Sequence, residues 1–428
     1  MKLTSARAQK SASTRAGISY EDGMIPALVV LSVVCLLGFT LVYPRLALVL
    51  WLLALETSPD VWLCTLLGWG AREAIIGAMK GAGLVLAAVL ALRTGTRRDR
   101  WNPSFAYGVM FLTGIIHGLY PGLTVLASLR SLLGSAAPLL FSFTRLPPAV
   151  TRAVITTLLW APLASVVLGA GLEALGVGQV YVLEQGALRL GGSGEPPYLA
   201  GFALIGLYAG LMEWLDHPRP GIGMAVLLNL LLILAAGARA PLLVALLPLT
   251  AVLFLEGRVL VLAFGGALAA AAVLLAPWLG VVRVIGLADL GEATNLSHRD
   301  LIWPYFQQAI AASPLFGWGL GAGKAVIPYT STLNALLGTN AAHNEYLRIA
   351  TEGGAVGLLL LIALFILWVR HNTAALPARP RWLLRVIFIA FAIQSLTDNT
   401  LIATTSSAFF LWVSCVFANA ANGSTHGA

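Results

Sequence analysis

Residues 341–368 read AAHNEYLRIATEGGAVGLLLLIALFILW: a polar cluster, His343-Asn344-Glu345, runs straight into a membrane-grade apolar segment. A membrane span needs about 20 mostly apolar residues. Comparable runs lie near 24–42, 104–123, 124–143, 150–172, 198–215, 222–237, 240–256, 259–280, 384–397 and 400–418. Of the 428 residues, 59% are hydrophobic and 10% charged, with a mean hydropathy of +0.87. A soluble globule is about 45–50% apolar and about 25% charged. So much apolar surface cannot be hidden in one aqueous core. The expected fold is an all-α polytopic integral membrane protein, its backbone polar groups satisfied within helices.

The stretch 43–93 is ambiguous, because "ETSPD", Arg72, Glu73 and Lys80 interrupt its apolar pieces. It holds one long irregular span or three short ones, and parity requires an odd number. The expected total is about twelve transmembrane helices, with fourteen as the alternative. The expected organisation is a cytoplasmic tail at 1–23, one transmembrane domain at 24–420 and a cytoplasmic tail at 421–428. There is no cleavage pattern after the first apolar run, so it is expected to be retained.

The net charge is +8. Its distribution argues against nucleic acid as a partner. Lys2, Arg7, Lys10 and Arg15 precede the first apolar run, Arg93, Arg97, Arg98 and Arg100 share one short connection, and Arg370, Arg379, Arg381 and Arg385 share another. Basic clusters in short loops mark the cytoplasmic side. Threading from there puts two long connections, 173–197 and 281–345, outside. The second contains the amphipathic stretch RDLIWPYFQQAIAA and then the glycine-rich SPLFGWGLGAG. A partly helical periplasmic cap is expected between 281 and 345. Cys35, Cys64 and Cys415 all lie in apolar runs and form neither a disulfide framework nor a metal spacing.

Four arginines fall outside, where positive charge should be sparse: Arg189, Arg239, Arg283 and Arg299. Each either snorkels to the interface or contributes a planar fork of donors to an anion site. For Arg283, beside a span end, the interfacial reading is favoured. His343 is either a helix-start residue or a general base. Its ordinary pKa of about 6.5 leaves imidazole largely neutral near pH 7, and neighbouring arginines would lower it further. Asn344 and Glu345 are placed to fix its orientation. Gly353-x-x-x-Gly357 is a small-residue packing pattern. Glu352, His117 and Asp398 are polar suspects in or beside spans. His217, His298, His371 and His426 lie in loops or tails without a constellation. No spacing suits a metal, and no phosphate-binding loop or dinucleotide fingerprint occurs. Neither a metal nor another cofactor is expected, so the energy for any reaction must arrive in an activated substrate.

Four segments resemble bacterial O-antigen ligases and the wider ligase and polymerase superfamily of membrane glycosyltransferases. His343-Asn344, nine residues, then Gly354-Ala355-Val356-Gly357 fits the pattern His-Asn-x9-Gly-x-x-Gly. GARAPLL at 237–243 is similar to that superfamily's Ser-Arg-Gly turn, with Ala238 in place of serine. Residues 299–323 are similar to its Arg-x-x-x-Trp…Gly-x-Gly segment through Arg299, Trp303 and Gly317. RLGGSGEPPYLAG at 189–201 is similar to a further segment through Arg189, although no Asn follows Pro196 or Pro197. The likeness spans roughly 185–420.

This resemblance implies a Gram-negative inner-membrane enzyme with a periplasmic active site. Its donor would be an O-antigen glycan on undecaprenyl diphosphate and its acceptor a sugar hydroxyl of lipid A–core. His343 would be the base. Arg239 and Arg299, with Arg189 assisting, would hold the diphosphate, with Asn344, Glu345 and Trp303 in support. O-antigen polymerase and protein O-oligosaccharyltransferase are alternatives with the same donor type. A secondary transporter fits less well, because no repeated half or matched pair of broken helices is present.

Overall fold

A computed structural model describes residues 38–184, 187–258, 299–328, 330–332, 334 and 339–425. The helices are α1 Pro44–Glu56, α2 Pro59–Leu67, α3 Arg72–Thr94, α4 Ser104–His117, α5 Val125–Leu140, α6 Pro148–Ala174, α7 Pro196–Asp216, α8 Pro220–Ala235, α9 Arg239–Leu255, α10 Arg299–Ala312, α11 Ala322–Ala325, α12 Glu345–Asn372, α13 Ala378–Gln394 and α14 Thr404–Thr425. The fold is that of a mostly helical, multi-pass membrane protein. The 173–197 connection adds a small antiparallel hairpin, β1 Tyr181–Glu184 with β2 Ala187–Leu190.

The expected count of twelve spans is not supported. Among the described residues five helices are long and apolar enough to cross a membrane: Ala74–Thr94, Val125–Phe143, Pro148–Ala174, Pro196–Asp216 and Glu345–Asn372. A sixth appears if α1 and α2, bent by 73° at "ETSPD", count together. There Ser58 adopts a left-handed conformation and Pro59 starts the next helix. Three further apolar helices, α4, α8 and α9, have only 14, 16 and 17 residues. A hydropathy window overcounts because it joins apolar loop residues to helices that Gly118, Pro220 and Gly237 cut short. The candidate span 259–280, most of 24–42, and Cys35, Arg283 and His298 lie outside the described residues.

The core centres on α7 and α14. Along α7, 78% of the most apolar window is buried. A Cβ at Gly206 would sit 2.6 Å from the Leu158 carbonyl oxygen, and one at Gly210 2.6 Å from Val226 Cγ2. Small residues let these backbones approach, as dispersion packing in lipid requires. On α14, Phe409, Phe410 and Phe417 are buried against Trp368, Phe388 and Phe391, and Trp412 against Phe409 and Tyr208.

Hydrogen bonds gather both Arg-rich connections at one end. Arg97 N donates to Phe143 O (2.8 Å), Arg145 N to Gly95 O (3.0 Å), and the Arg97 guanidinium to Asn372. Arg385 Nε reaches Thr373 Oγ1 (3.2 Å). The 28 residues of α12 then carry the chain to the opposite end, where His343 lies. One strand of the threading does not match. Thr57 O accepts from Ser193 Oγ (3.0 Å), which meets Ser165 Oγ (2.9 Å), so α1 and α6 run side by side in the same direction. That starts α1 at the Arg-rich end. A span at 24–42 leaving a cytoplasmic N-terminus would reach Pro44 at the other end, and residues 1–37 lie outside the described residues.

Candidate active site

Helix α12 begins where Asn344 accepts a hydrogen bond from Leu347 N (3.1 Å), a side-chain cap on an otherwise orphan donor. His343, just before it, has φ +47°, a conformation that costs a residue with a Cβ roughly 1–3 kcal/mol. Helix α10 holds that turn in place. Trp303 Nε1 donates to Ala342 O (3.0 Å), and Ile302, Phe306 and Ala309 pack with Ala342, Val326 and Ile327. The same packing brings Arg299, in the first turn of α10, beside His343.

Gly354 interrupts α12 with φ +59° and ψ −162°. The glycine-rich turn fills the gap. Trp318 N and Gly319 N donate to Thr351 O (3.0 Å) and Glu352 O (2.9 Å), and Ala355 N and Val356 N donate to Pro314 O (2.8 Å) and Leu315 O (3.0 Å). Backbone groups freed by the break are thus paired again, as the membrane demands. A Cβ at Gly354 would lie 2.3 Å from the Leu315 carbonyl carbon, so glycine is needed there for both conformation and space. Gly353 and Gly357 pack on Met110 of α4, as their spacing predicts.

His343, Arg299 and Asp398 converge from three separate segments. Burial holds the His343 imidazole below its ordinary value of 6.5; Asp398 opposes that shift and Arg299 adds to it. Burial likewise lowers the Arg299 guanidinium, against the pull of Asp398. The Arg299 Nε is buried without a hydrogen-bond partner among the described residues. Thr339 Oγ1, not Asn344 or Glu345, meets His343 Nε2 (3.2 Å). Tyr198 carries the cluster further, since Glu195, Asp60, Arg72 and Asp398 are all within electrostatic reach of its phenol. Arg72 pairs with Asp60 (3.5 Å) and Glu195 (3.3 Å). A neutral imidazole beside a guanidinium with an unused donor can accept a proton next to a bound anion.

Arg189 and Arg239 sit together on the same end, in different roles. Arg189 is buried in β2; its Nε donates to Ala236 O (2.8 Å) and its stem covers Gly237. It therefore braces the Ala236–Ala238 turn from which Arg239 projects. Arg239, the first residue of α9, is half-buried and makes no hydrogen bond or ion pair among the described residues. Ala236 and Ala238 pack on Ala200 of α7, and Gly201 packs on Thr405, which ties this turn to the segment that follows Asp398.

Glu345 and Glu352 are accounted for by Arg348, which the sequence reading passed over. Its Nε donates to Glu345 Oε2 (2.5 Å) and its NH1 group to Glu352 Oε2 (2.7 Å), all three side chains being buried. The i, i+3 and i, i+4 spacing was a legible signal for this triad. Glu345 Oε1 also accepts from Leu401 N (2.7 Å), tying the helix start to the loop that carries Asp398. His117 is exposed and stacks on Phe316 (4.3 Å), away from the cluster's hydrogen bonds. Among the described residues no group of three or more His, Cys, Asp or Glu side chains is placed to hold a metal ion.

The segment that presents these groups also carries a family signature. Residues 224–362 match the family model described as O-antigen ligase. Over this segment, about a third of the chain, the sequence is similar to the O-antigen ligase family. The match includes Arg239, Arg299, Trp303, His343 and Gly354; Arg189 and Asp398 lie outside it. The comparison with curated proteins found no match. The similarity lies on the segment that carries most of the cluster, and it favours an enzyme of lipid-linked glycans.

Proposed function

We propose that the protein is an O-antigen ligase that transfers a glycan from undecaprenyl diphosphate to a sugar hydroxyl of lipid A–core. The observation that carries this reading is the convergence of His343, Arg299 and Asp398 in a half-buried site with a depressed imidazole pKa and a guanidinium nitrogen unpartnered among the described residues. His343 takes the proton of the acceptor hydroxyl. The hydroxyl oxygen then bonds to the anomeric carbon as the carbon–oxygen bond to diphosphate breaks. The electron pair leaves with undecaprenyl diphosphate. One displacement inverts the anomeric configuration. Arg299 and Arg239 stabilise charge growing on the leaving group, and preorganised cations of this kind are commonly the largest catalytic term. Arg189 supports Arg239 through its turn, Trp303 fixes the backbone before His343, and Asn344 and Glu345 anchor the start of α12. One transmembrane domain in the inner membrane, with this end facing the periplasm, brings both lipid substrates to the site.

The test is transfer by purified protein in detergent from a defined lipid-diphosphate donor to three acceptors: lipid A–core, a second donor-borne glycan and a serine-containing peptide. Product on lipid A–core alone, surviving excess chelator, is expected. Product on the second glycan would make the protein a polymerase. Product on the peptide would make it a protein oligosaccharyltransferase. Turnover restored only by a divalent ion would overturn the metal-free mechanism.

A further inference from the structure

We infer that the cap carries a subsite for a neutral sugar ring of the glycan, away from the bond being exchanged. A cavity of about 290 Å³ opens between α10 and the α4–α5 turn. Its walls are Tyr120, Tyr305, Trp318 and Gln308, with Pro121 and Val326 among the remaining lining residues. Tyr305, Gln308, Ala309 and Ala312 also line it, and they share one face of α10 by their helical spacing. The aromatic walls are held in place. Tyr120 N donates to Trp318 O (3.1 Å), Trp318 Nε1 to Ala309 O (2.7 Å), and the Tyr120 and Trp318 rings meet edge to face at 5.7 Å. Tyr305 and Gln308 are exposed, and neither side chain makes a hydrogen bond among the described residues.

Among the described residues no charged side chain lines the cavity. This is unlike the His343 cluster and unsuited to phosphate or an acidic sugar. A neutral sugar fits both surfaces: its C–H face lies on aromatic rings, and its hydroxyls pair with an amide and phenols. At a rise of 1.5 Å per residue, Tyr305 and Ala312 lie about 9 Å and 20 Å along α10 from Arg299. The subsite therefore holds a ring further along the chain, and its role in transfer rests on the reading of His343 and Arg299 as the reaction centre.

The experiment compares Tyr305→Ala/Gln308→Ala with the unmodified protein in two assays. The first is transfer from donors bearing a single sugar and a long glycan. The second is saturation-transfer NMR with free, unreactive glycan. The double variant should raise KM for the long donor about fivefold to tenfold, as loss of aromatic stacking warrants, and leave kcat and the single-sugar donor unchanged. It should also lose the NMR contact, and Tyr305→Phe should retain most of it. An unchanged KM ratio between long and short donors, or undiminished NMR contact in the double variant, would overturn the subsite. Absence of transfer in the unmodified protein with intact, variant-sensitive NMR contact would defeat the proposed reaction and leave the subsite standing.

Discussion

The two ends of α12 handle buried polarity in different ways. At the Arg-rich end, Asp99 is buried, and its Oδ2 accepts from Trp368 Nε1 (2.6 Å), Ser142 Oγ (2.6 Å) and Asn102 Nδ2 (3.2 Å). One carboxylate there joins α12 to two connections. At the other end, among the described residues, the Arg299 Nε is buried and unpartnered and the His343 ring has one hydrogen-bond contact, with Thr339; the His343 backbone is left-handed. Three donors on one carboxylate oxygen stabilise the Arg-rich end, although Asp99 Oδ1 is unpartnered among the described residues; a buried unmade hydrogen bond costs roughly 1–3 kcal/mol. At the His343 end the unmet group is a guanidinium donor beside a histidine, an arrangement suited to an anionic ligand.

Substitutions should separate the two ends. The largest effect is expected from His343→Ala, with transfer falling by about 10²–10⁴-fold while the melting temperature and retention of the lipid-diphosphate donor stay close to normal. Asp99→Leu should do the reverse, leaving buried donors unmet at about 1–3 kcal/mol each. It should lower the melting temperature and leave the turnover of folded protein intact. A stability loss in His343→Ala with no specific loss of turnover would erase the contrast.

Arg299→Ala and Arg239→Ala should each reduce single-turnover transfer by about 10²–10³-fold, the scale of removing one preorganised donor, and weaken donor binding measured in parallel. Lysine should rescue only in part, because an ammonium lacks the bidentate fork. Arg189→Ala should have a smaller effect. Its guanidinium supports a backbone carbonyl, so about tenfold or less is expected, with the change in stability at least as large as the change in binding. If Arg189→Ala matches Arg239→Ala in donor binding, Arg189 touches the diphosphate itself.

The helical fold and part of the His343 end were legible in the sequence, whereas the Asp99 network was not. The apolar runs gave the helical membrane fold, His343-Asn344 marked the helix start, and Trp303 and Arg299 marked the cap. The break at Gly354 was hidden, because Gly353-x-x-x-Gly357 reads the same in a straight helix and in a broken one. The sequence suggested Asn344 and Glu345 as partners of His343, but Glu345 turns inward to Arg348 and Asn344 is used by the helix cap. Asp398 stood out only as a charge at a helix end. Its neighbours, Arg299 and His343, come from distant segments, and no local pattern encodes such a meeting. The span count failed for a related reason, since hydropathy does not register where a proline or glycine ends a helix.

Orientation is checked by labelling. Lys324→Cys in the cap and Ala375→Cys beside the second Arg-rich connection are both at exposed positions. In intact spheroplasts an impermeant thiol reagent should modify the first and spare the second. The opposite pattern would place the His343 end in the cytoplasm.

The most direct test is the acid limb of the transfer rate against pH. Transfer requires the neutral imidazole, so the rate falls as pH drops through the His343 pKa, and burial sets that limb below 6.5. Arg299 disfavours the imidazolium, so Arg299→Gln should move the limb to higher pH. Asp398 favours it, so Asp398→Asn should move the limb to lower pH. Opposite displacements, read as midpoints of kcat/KM and independent of how much activity each variant retains, are the predicted result. Midpoints that stay fixed, or that move together, would contradict His343 as the base of this site.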